Sequence, residues 1–278
     1  MIDIKGVVNY VLERQNEDGG YTFCRGTDSN AQDTYFALKI LKILSFKPKK
    51  VEKTVRFLQR LQHEDGDFDS VKVAYYATKA LSYLGSKPLK PLLPLKSSLN
   101  LFLKSLKHPS TYVEIVSEIE SIHLAVEIFS DQEFPIDSDK IIKLLLNLKN
   151  NDGSFGSRRH SRVASTYHAI EVLRLLKNND ELPIDTLTWI RRCEIPSGGF
   201  VSSPDVSTGF LEDTYYGVKV LKIFNQKLEY PNETLKYLAK FQNPNGGFRR
   251  SVYLGISTLE STYQAISTID TILSSKEH

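Results

Sequence analysis

Gln242-Asn243-Pro244-Asn245-Gly246-Gly247-Phe248, followed by Ser261-Thr262-Tyr263-Gln264-Ala265-Ile266, decides the fold because the same pair recurs along the chain. Gln15-Asn16-Glu17-Asp18-Gly19-Gly20-Tyr21 leads to Asp33-Thr34-Tyr35-Phe36-Ala37-Leu38, and Gln62-His63-Glu64-Asp65-Gly66-Asp67-Phe68 leads to Ala74-Tyr75-Tyr76-Ala77. Lys149-Asn150-Asn151-Asp152-Gly153-Ser154-Phe155 leads to Ser165-Thr166-Tyr167-His168-Ala169, and Glu194-Ile195-Pro196-Ser197-Gly198-Gly199-Phe200 leads to Asp213-Thr214-Tyr215-Tyr216-Gly217. The closing aromatics step by 47, 87, 45 and 48 residues, so the long step hides one degenerate copy. Its second half survives as Ser121-Ile122-His123-Leu124-Ala125-Val126, its turn eroded to Lys107-His108-Pro109-Ser110. Six repeats result, and a fixed period of this length marks a stacked or closed array of supersecondary units.

Each repeat reads as two helices. Val51 to Leu61 has apolar residues at 51, 55, 58 and 61 with charges between, a helix with one wet side. Tyr35 to Leu44 is apolar on nearly every face, as a helix buried between layers would be. The glycine turn is read as the stop of the first helix, since glycine reaches the left-handed conformation without steric cost. Leu89 to Pro94 is read as an altered inter-repeat loop. Open arrays carry polar caps at both ends. Here the first and last copies are the best formed and both end in apolar helices, so the expectation is an all-α, closed (α/α)6 toroid, one domain over residues 1–278.

Composition bounds the function. Apolar residues at 41% suffice for a large core, and 36 basic against 33 acidic residues leave only +3, which argues against a nucleic-acid partner. Cys24 and Cys193 form no framework or CxxC motif, so the expected setting is reducing and cytoplasmic. The first residues carry no basic leader before an apolar run, and no stretch suggests a membrane span.

The Gln-x-x-Asp-Gly-Gly-Phe turn with Thr-Tyr and an apolar helix after it resembles the prenyltransferase and squalene-cyclase repeat, found in protein prenyltransferase β subunits and triterpene cyclases. The resemblance covers essentially the whole chain. It implies an isoprenoid or other small-molecule ligand in a central cavity and, for the β subunits, a helical protein partner. The family's catalytic zinc is held by an Asp, a Cys and a His. The matching positions here are Asp213, Tyr215 and Ser261, so the resemblance implies no zinc and no cofactor. Of the family's diphosphate-binding bases, Arg158 stands in place while Val201 to Asp205 offers none and Val163 replaces a His. The cyclase acid motif Asp-x-Asp-Asp is absent; the nearest run, Asp65-Gly66-Asp67-Phe68-Asp69, lies in a turn.

In a closed ring the inner-helix N-termini gather at one mouth, where unpaired amides favour an anion. Below it, Tyr35, Tyr75, His123, Tyr167, Tyr215 and Tyr263 occupy one equivalent position. They read either as an aromatic belt for an isoprenoid chain or as packing residues whose hydroxyls bond the glycine turns. Asp33 and Asp213, two residues before that Tyr, read either as an acid/base pair, as in toroid glycan-processing enzymes, or as caps of their own helices. Ser257-Thr258-Leu259-Glu260 has capping-box spacing, which favours capping. Arg158, Arg159 and Arg162, with His160 among them, form the densest basic cluster, either a diphosphate clamp or a solvated loop. Arg25, Arg249 and Arg250 add bases at other turns. Three functions stay open: an isoprenoid-handling, prenyltransferase-like toroid; a non-catalytic binding or scaffold protein; and a glycan-processing enzyme using Asp33 and Asp213.

Overall fold

The computed structural model describes residues 2–93, 95–97, 99, 118–157, 161–176 and 182–275. The eroded turn at 107–110, Pro94, Arg158, Arg159 and His160 lie outside them. The chain divides into two compact units, Val11–Ile136 and Met1–Tyr10 with Asp137–His278.

In Val11–Ile136, α2 (Ala31–Ile43), α4 (Val71–Tyr83) and α5 (Glu118–Asp131) are the apolar helices, and α3 (Val51–Arg60) is the amphipathic one. α2 packs on α4 and α4 on α5, with α3 against α4. The other unit holds α1 (Ile4–Leu12) through Tyr10, α6 (Ser138–Asn147), α8 (Ile184–Cys193) and α10 (Pro231–Ala239) as amphipathic helices. Its apolar helices are α7 (Arg162–Leu176), α9 (Leu211–Ile223) and α11 (Leu259–Ser274), with α9 between the other two. β1 (Phe248–Arg249) pairs antiparallel with β2 (Ser257–Thr258) at the entry to α11. Trp189, Ile190 and Cys193 of α8 meet Phe200, Val218 and Leu221 in a buried core. Among the described residues each repeat is therefore built of amphipathic helices laid over apolar helices that pack side by side.

The turns are built by threonines. Thr34, Thr166, Thr214 and Thr262 take the amides of Tyr21, Phe155, Phe200 and Phe248 at 3.0, 3.0, 3.1 and 3.0 Å. The residue before four of the five belt tyrosines thus ties its helix to its own turn, while Ala74 before Tyr75 cannot and the Phe68 amide goes to Asp67 instead; a buried amide left without such a partner would cost about 1–3 kcal/mol. A second set ties the turn to the next repeat: Thr54 donates to the Gly19 carbonyl and Thr186 to the Gly153 carbonyl, both at 2.7 Å, and Thr234 accepts the Gly199 amide at 3.0 Å.

Three expectations change. The glycines do not stop the amphipathic helices, since α8 ends at Cys193 and Gly198 lies beyond it at φ +97. Gly198 is glycine because a Cβ there would stand 2.3 Å from the Glu233 backbone of α10. In α3 the buried side is Thr54, Phe57 and Leu58, while Val51 is exposed, because the turn claims the threonine. The cap of α11 is Thr258, whose hydroxyl accepts the Ser261 amide at 3.0 Å, so no capping box starts at Ser257.

Candidate functional site

The belt residues sit four or five positions into helices whose neighbours lie alongside, so their rings meet across helices. In Val11–Ile136, Tyr35 and Tyr75 are 6.3 Å apart, and Tyr76 lies 5.3 Å from Tyr35, tilted, and 5.1 Å from Tyr75, edge to face. In the other unit Tyr215 meets Tyr263 at 5.8 Å and Tyr216 at 5.0 Å, and Tyr216 meets Tyr167 at 5.0 Å and His168 at 5.1 Å. Offset and edge contacts at these separations suit aromatic quadrupoles. Tyr75, Tyr215, Tyr263 and His123 are buried, and Tyr35 and Tyr167 half-buried. Tyr76 and Tyr216 went unmarked as site residues, though an aromatic directly after the belt position is visible in both repeats.

The belt hydroxyls that can be followed do not bond the turns, where threonines hold the amides. Tyr75 donates to Glu127 Oε2 at 3.0 Å and Tyr167 to Glu171 Oε1 at 3.5 Å. Tyr215 is hydrogen-bonded to Tyr263, and burial pushes its phenol well above the ordinary range.

Both aspartates accept hydrogen bonds at helix starts. Asp33 Oδ2 accepts from Asn30 Nδ2 at 2.7 Å and the Phe23 amide at 3.1 Å, while its own amide donates to the Asn30 cap at 2.8 Å. Burial raises its carboxyl, against those donors. Asp213 accepts from Ser161 Oγ at 2.6 Å and the Phe210 amide at 2.8 Å. Burial outweighs these bonds and pushes Asp213 up to about 6. The two aspartates belong to different units. Of the zinc-matching positions, Asp213 is capping, Tyr215 is paired with Tyr263, and Ser261 has its amide in the α11 cap. Among the described residues no three His, Cys, Asp or Glu side chains converge on one point. This donor set does not fit a zinc ion.

The basic residues divide by their partners. Arg162 lies within its own turn, bonded to Asp152 and Ser154, with its guanidinium 5.0 Å over the Trp189 ring. Arg249 is held by Asn243 and loop carbonyls. Arg250 forms a two-point pair with Glu212 in the first turn of α9, both contacts 2.6 Å, and stacks 4.2 Å over Phe210. The Leu211 amide donates to the Arg250 carbonyl at 3.0 Å. With Ser161 reaching Asp213, the starts of α7, α9 and the turn before α11 adjoin one another. Arg25 pairs with Glu13 at the surface. Cys24 is exposed and Cys193 buried, both free, with burial raising the Cys193 thiol. No helix among the described residues is long and apolar enough to cross a membrane.

Comparison with known proteins bears on this architecture. The prenyltransferase α/α toroid domain family matches residues 2–86, 70–160 and 155–277. Among solved structures, protein geranylgeranyltransferase-I of Candida albicans, complexed with GGPP, superposes with TM-score 0.73 at 18% identity, over 97% of this chain and 91% of that one. The type II terpene cyclase MstE from Scytonema, without ligand, superposes with TM-score 0.66 at 12% identity, over 99% and 97%. Its R337A form in complex with geranylgeranyl dihydroxybenzoate gives 0.67 at 12%, over 98% and 96%. No curated protein sequence matches. The matched segments together run through nearly the whole chain, and the expected α/α toroid is its fold: the chain belongs to the prenyltransferase α/α toroid domain family.

Proposed function

We propose that residues 1–278 act as one isoprenoid-handling toroid in the cytoplasm, binding a prenyl diphosphate without the family's zinc. The observation that carries this reading is the tyrosine cluster around the belt position in each unit, apolar and polarisable and about one turn from the helix starts. Solved neighbours whose ligands are GGPP and geranylgeranyl dihydroxybenzoate support it. The diphosphate sits at the helix N-termini, where dipoles and free amides favour an anion, with Arg158 and Arg159 as its clamp. Arg162 shapes that turn from within. Asp33 and Asp213 act as helix caps, and their hydrogen bonds support that role over acid/base work on a glycan.

Thermal denaturation tests the proposal, with prenyl diphosphates of increasing length added to wild type and to Arg158→Ala/Arg159→Ala, and inorganic diphosphate as control. A ligand at 100 times its Kd adds about 2.7 kcal/mol of stability. The expected result is a midpoint rise that exceeds the control, shrinks in the variant and is unchanged by a chelator. Absence of any rise with every prenyl compound at saturation would sink the reading in favour of a toroid without isoprenoid ligands.

A further inference from the structure

Charge is shared unevenly along this chain. Phe46 to Arg60 holds six bases, Lys47, Lys49, Lys50, Lys53, Arg56 and Arg60, against one acid, Glu52. Ser86 to Lys96 adds three lysines and no acid. These two stretches take nine of the 36 basic residues and one of the 33 acidic ones, a net +8, and leave the rest of the chain at a net −5. A protein with little net charge thus carries one strongly basic segment.

Both stretches belong to Val11–Ile136, and α3 joins them. Lys47, Lys49 and Lys50 lead into its first turn. Lys53, Arg56 and Arg60 then step by three and four residues, the spacing of one helix face. That face is exposed, because Thr54, Phe57 and Leu58 turn inward. Beside the last turn of α3, Gln59 Nε2 donates to the Lys87 carbonyl at 2.9 Å, so the second stretch continues the strip. Lys53 and Lys90 are tied to the carbonyls of Glu17 and Glu64, and Lys96 lies over the Phe134 ring. Lys47, Lys49, Lys50, Arg56, Arg60 and Lys87 form no ion pair among the described residues.

The fold alone does not call for such a strip. α6 carries Lys140 and Lys143 with Asp139, α8 carries Arg191 and Arg192 with Asp185, and α10 carries Lys236 with Glu233. A wet outer face is met there by a few charges of both signs. Like charges gathered on one face repel one another, and an opposite charge relieves them. Apolar side chains stand among these bases: Phe46 is 49%, Leu89 66% and Leu93 64% exposed. Bases interspersed with exposed apolar side chains suit a bilayer surface, where the bases meet lipid phosphates and the apolar chains enter the acyl boundary. A nucleic acid would engage the bases and leave Leu89 and Leu93 in water. An acidic protein would need a face shaped to match, which a bilayer does not.

We propose that the α3 strip docks this protein on the surface of an anionic lipid bilayer, with Phe46, Leu89 and Leu93 entering between the head groups. The contact is peripheral, and the acidic balance of the remaining residues leaves the strip as the part that such a surface attracts. It is independent of the isoprenoid reading.

The test is co-sedimentation of the full chain with vesicles of phosphatidylcholine alone and of an equal mixture of phosphatidylcholine and phosphatidylserine, in low salt and in about 1 M salt, where screening shortens to about 3 Å. Lys47→Gln/Lys49→Gln/Arg56→Gln removes three bases of the strip, and Lys140→Gln/Lys143→Gln/Lys227→Gln removes three from the other unit as a control of equal charge. The expected result is binding to the mixed vesicles alone, lost in high salt, at least tenfold weaker in the first variant and unchanged in the control. Each base near an anionic surface tightens binding about fivefold. Phe46→Ser/Leu89→Ser should weaken binding severalfold and keep its salt dependence. Absence of binding to the mixed vesicles overturns the inference, as does equal weakening by both charge variants, which would make net charge and not the strip responsible. Displacement from the vesicles by duplex DNA at equal phosphate concentration would overturn the lipid assignment in favour of a general polyanion site. These vesicles hold no prenyl diphosphate, so each outcome leaves the isoprenoid reading where it stood.

Discussion

Asp213 has no access to water and accepts two hydrogen bonds, from Ser161 and the Phe210 amide. Those bonds favour the carboxylate, but burial outweighs them, and the group titrates at about 6 against an ordinary 3.8. The folded state therefore holds this proton more tightly than the unfolded chain does. Stability from Asp213 is fully present below about pH 4 and is lost as pH rises through about 6, a change on the order of 2–3 kcal/mol over roughly two pKa units. Glu127 slopes the other way, its stabilisation present above the unfolded value and lost on acidification, so the total profile mixes the two. Asp213→Asn isolates the first: it keeps an acceptor for the cap and cannot ionise. Urea denaturation at about pH 4.5 and pH 7 is expected to show wild type losing stability relative to the variant as pH rises. Parallel profiles would mean that the carboxyl is not held neutral.

At the scale of the element, the repeat turn joins three pieces of chain at one glycine. Gly198 takes φ +97, and a Cβ on it would meet the Glu233 carbonyl of α10 at 2.3 Å, with no flexible side chain to give way. Gly26 has a similar φ of +88 and nothing within 4 Å of a Cβ. Gly26→Ala should thus cost only backbone strain, about 1 kcal/mol, and Gly198→Ala at least twice that, because α10 must move off the turn. Equal losses in denaturant midpoint would show the close approach to be unimportant. This contact also marks where sequence reading ran out. Helix pairs, their order and which member is apolar follow from local periodicity, so they were legible. The meeting of Gly198 with Glu233, or of Thr54 with Gly19, joins residues about 35 apart and has no local period. Glycine then reads as a helix stop, and Thr54 falls among the residues between the apolar positions 51 and 55. The belt tyrosines were legible as a repeated position. Their rings' partners, Tyr76 and Tyr216, and the threonines that free their hydroxyls from the turns were not, since both depend on the neighbouring helix.

At the scale of the whole molecule, a toroid must solve what an open array solves with caps: its last turn needs an outer helix to pack on. That helix is α1. Gln242 exchanges hydrogen bonds with the backbone of Asp3 at 2.9 and 3.0 Å, as Gln62 does with Lys90 at 2.9 and 3.0 Å. A Cβ on Gly246 would stand 2.2 Å from Gly6, the place that Glu233 holds for Gly198, and one on Gly247 would meet the Tyr10 ring at 2.8 Å. Gly6 and Val7 thus stand where α3, α8 and α10 have a larger residue and a threonine (Lys53-Thr54, Asp185-Thr186 and Glu233-Thr234), so this junction rests on close backbone approach and on Gln242. Removing residues 1–10 is expected to leave the last turn unsupported and to open it before the Trp189 core, which α8 supplies independently. Hydrogen exchange checks this directly. Amides of Phe248, Arg249 and the first turn of α11 should lose at least tenfold in protection while Ile190 and Leu221 keep theirs, because local opening follows the contacts that each segment has lost. Uniform loss across both regions would instead make α1 part of one cooperative unit with the core, and unchanged protection at Phe248 would deny it the closing role.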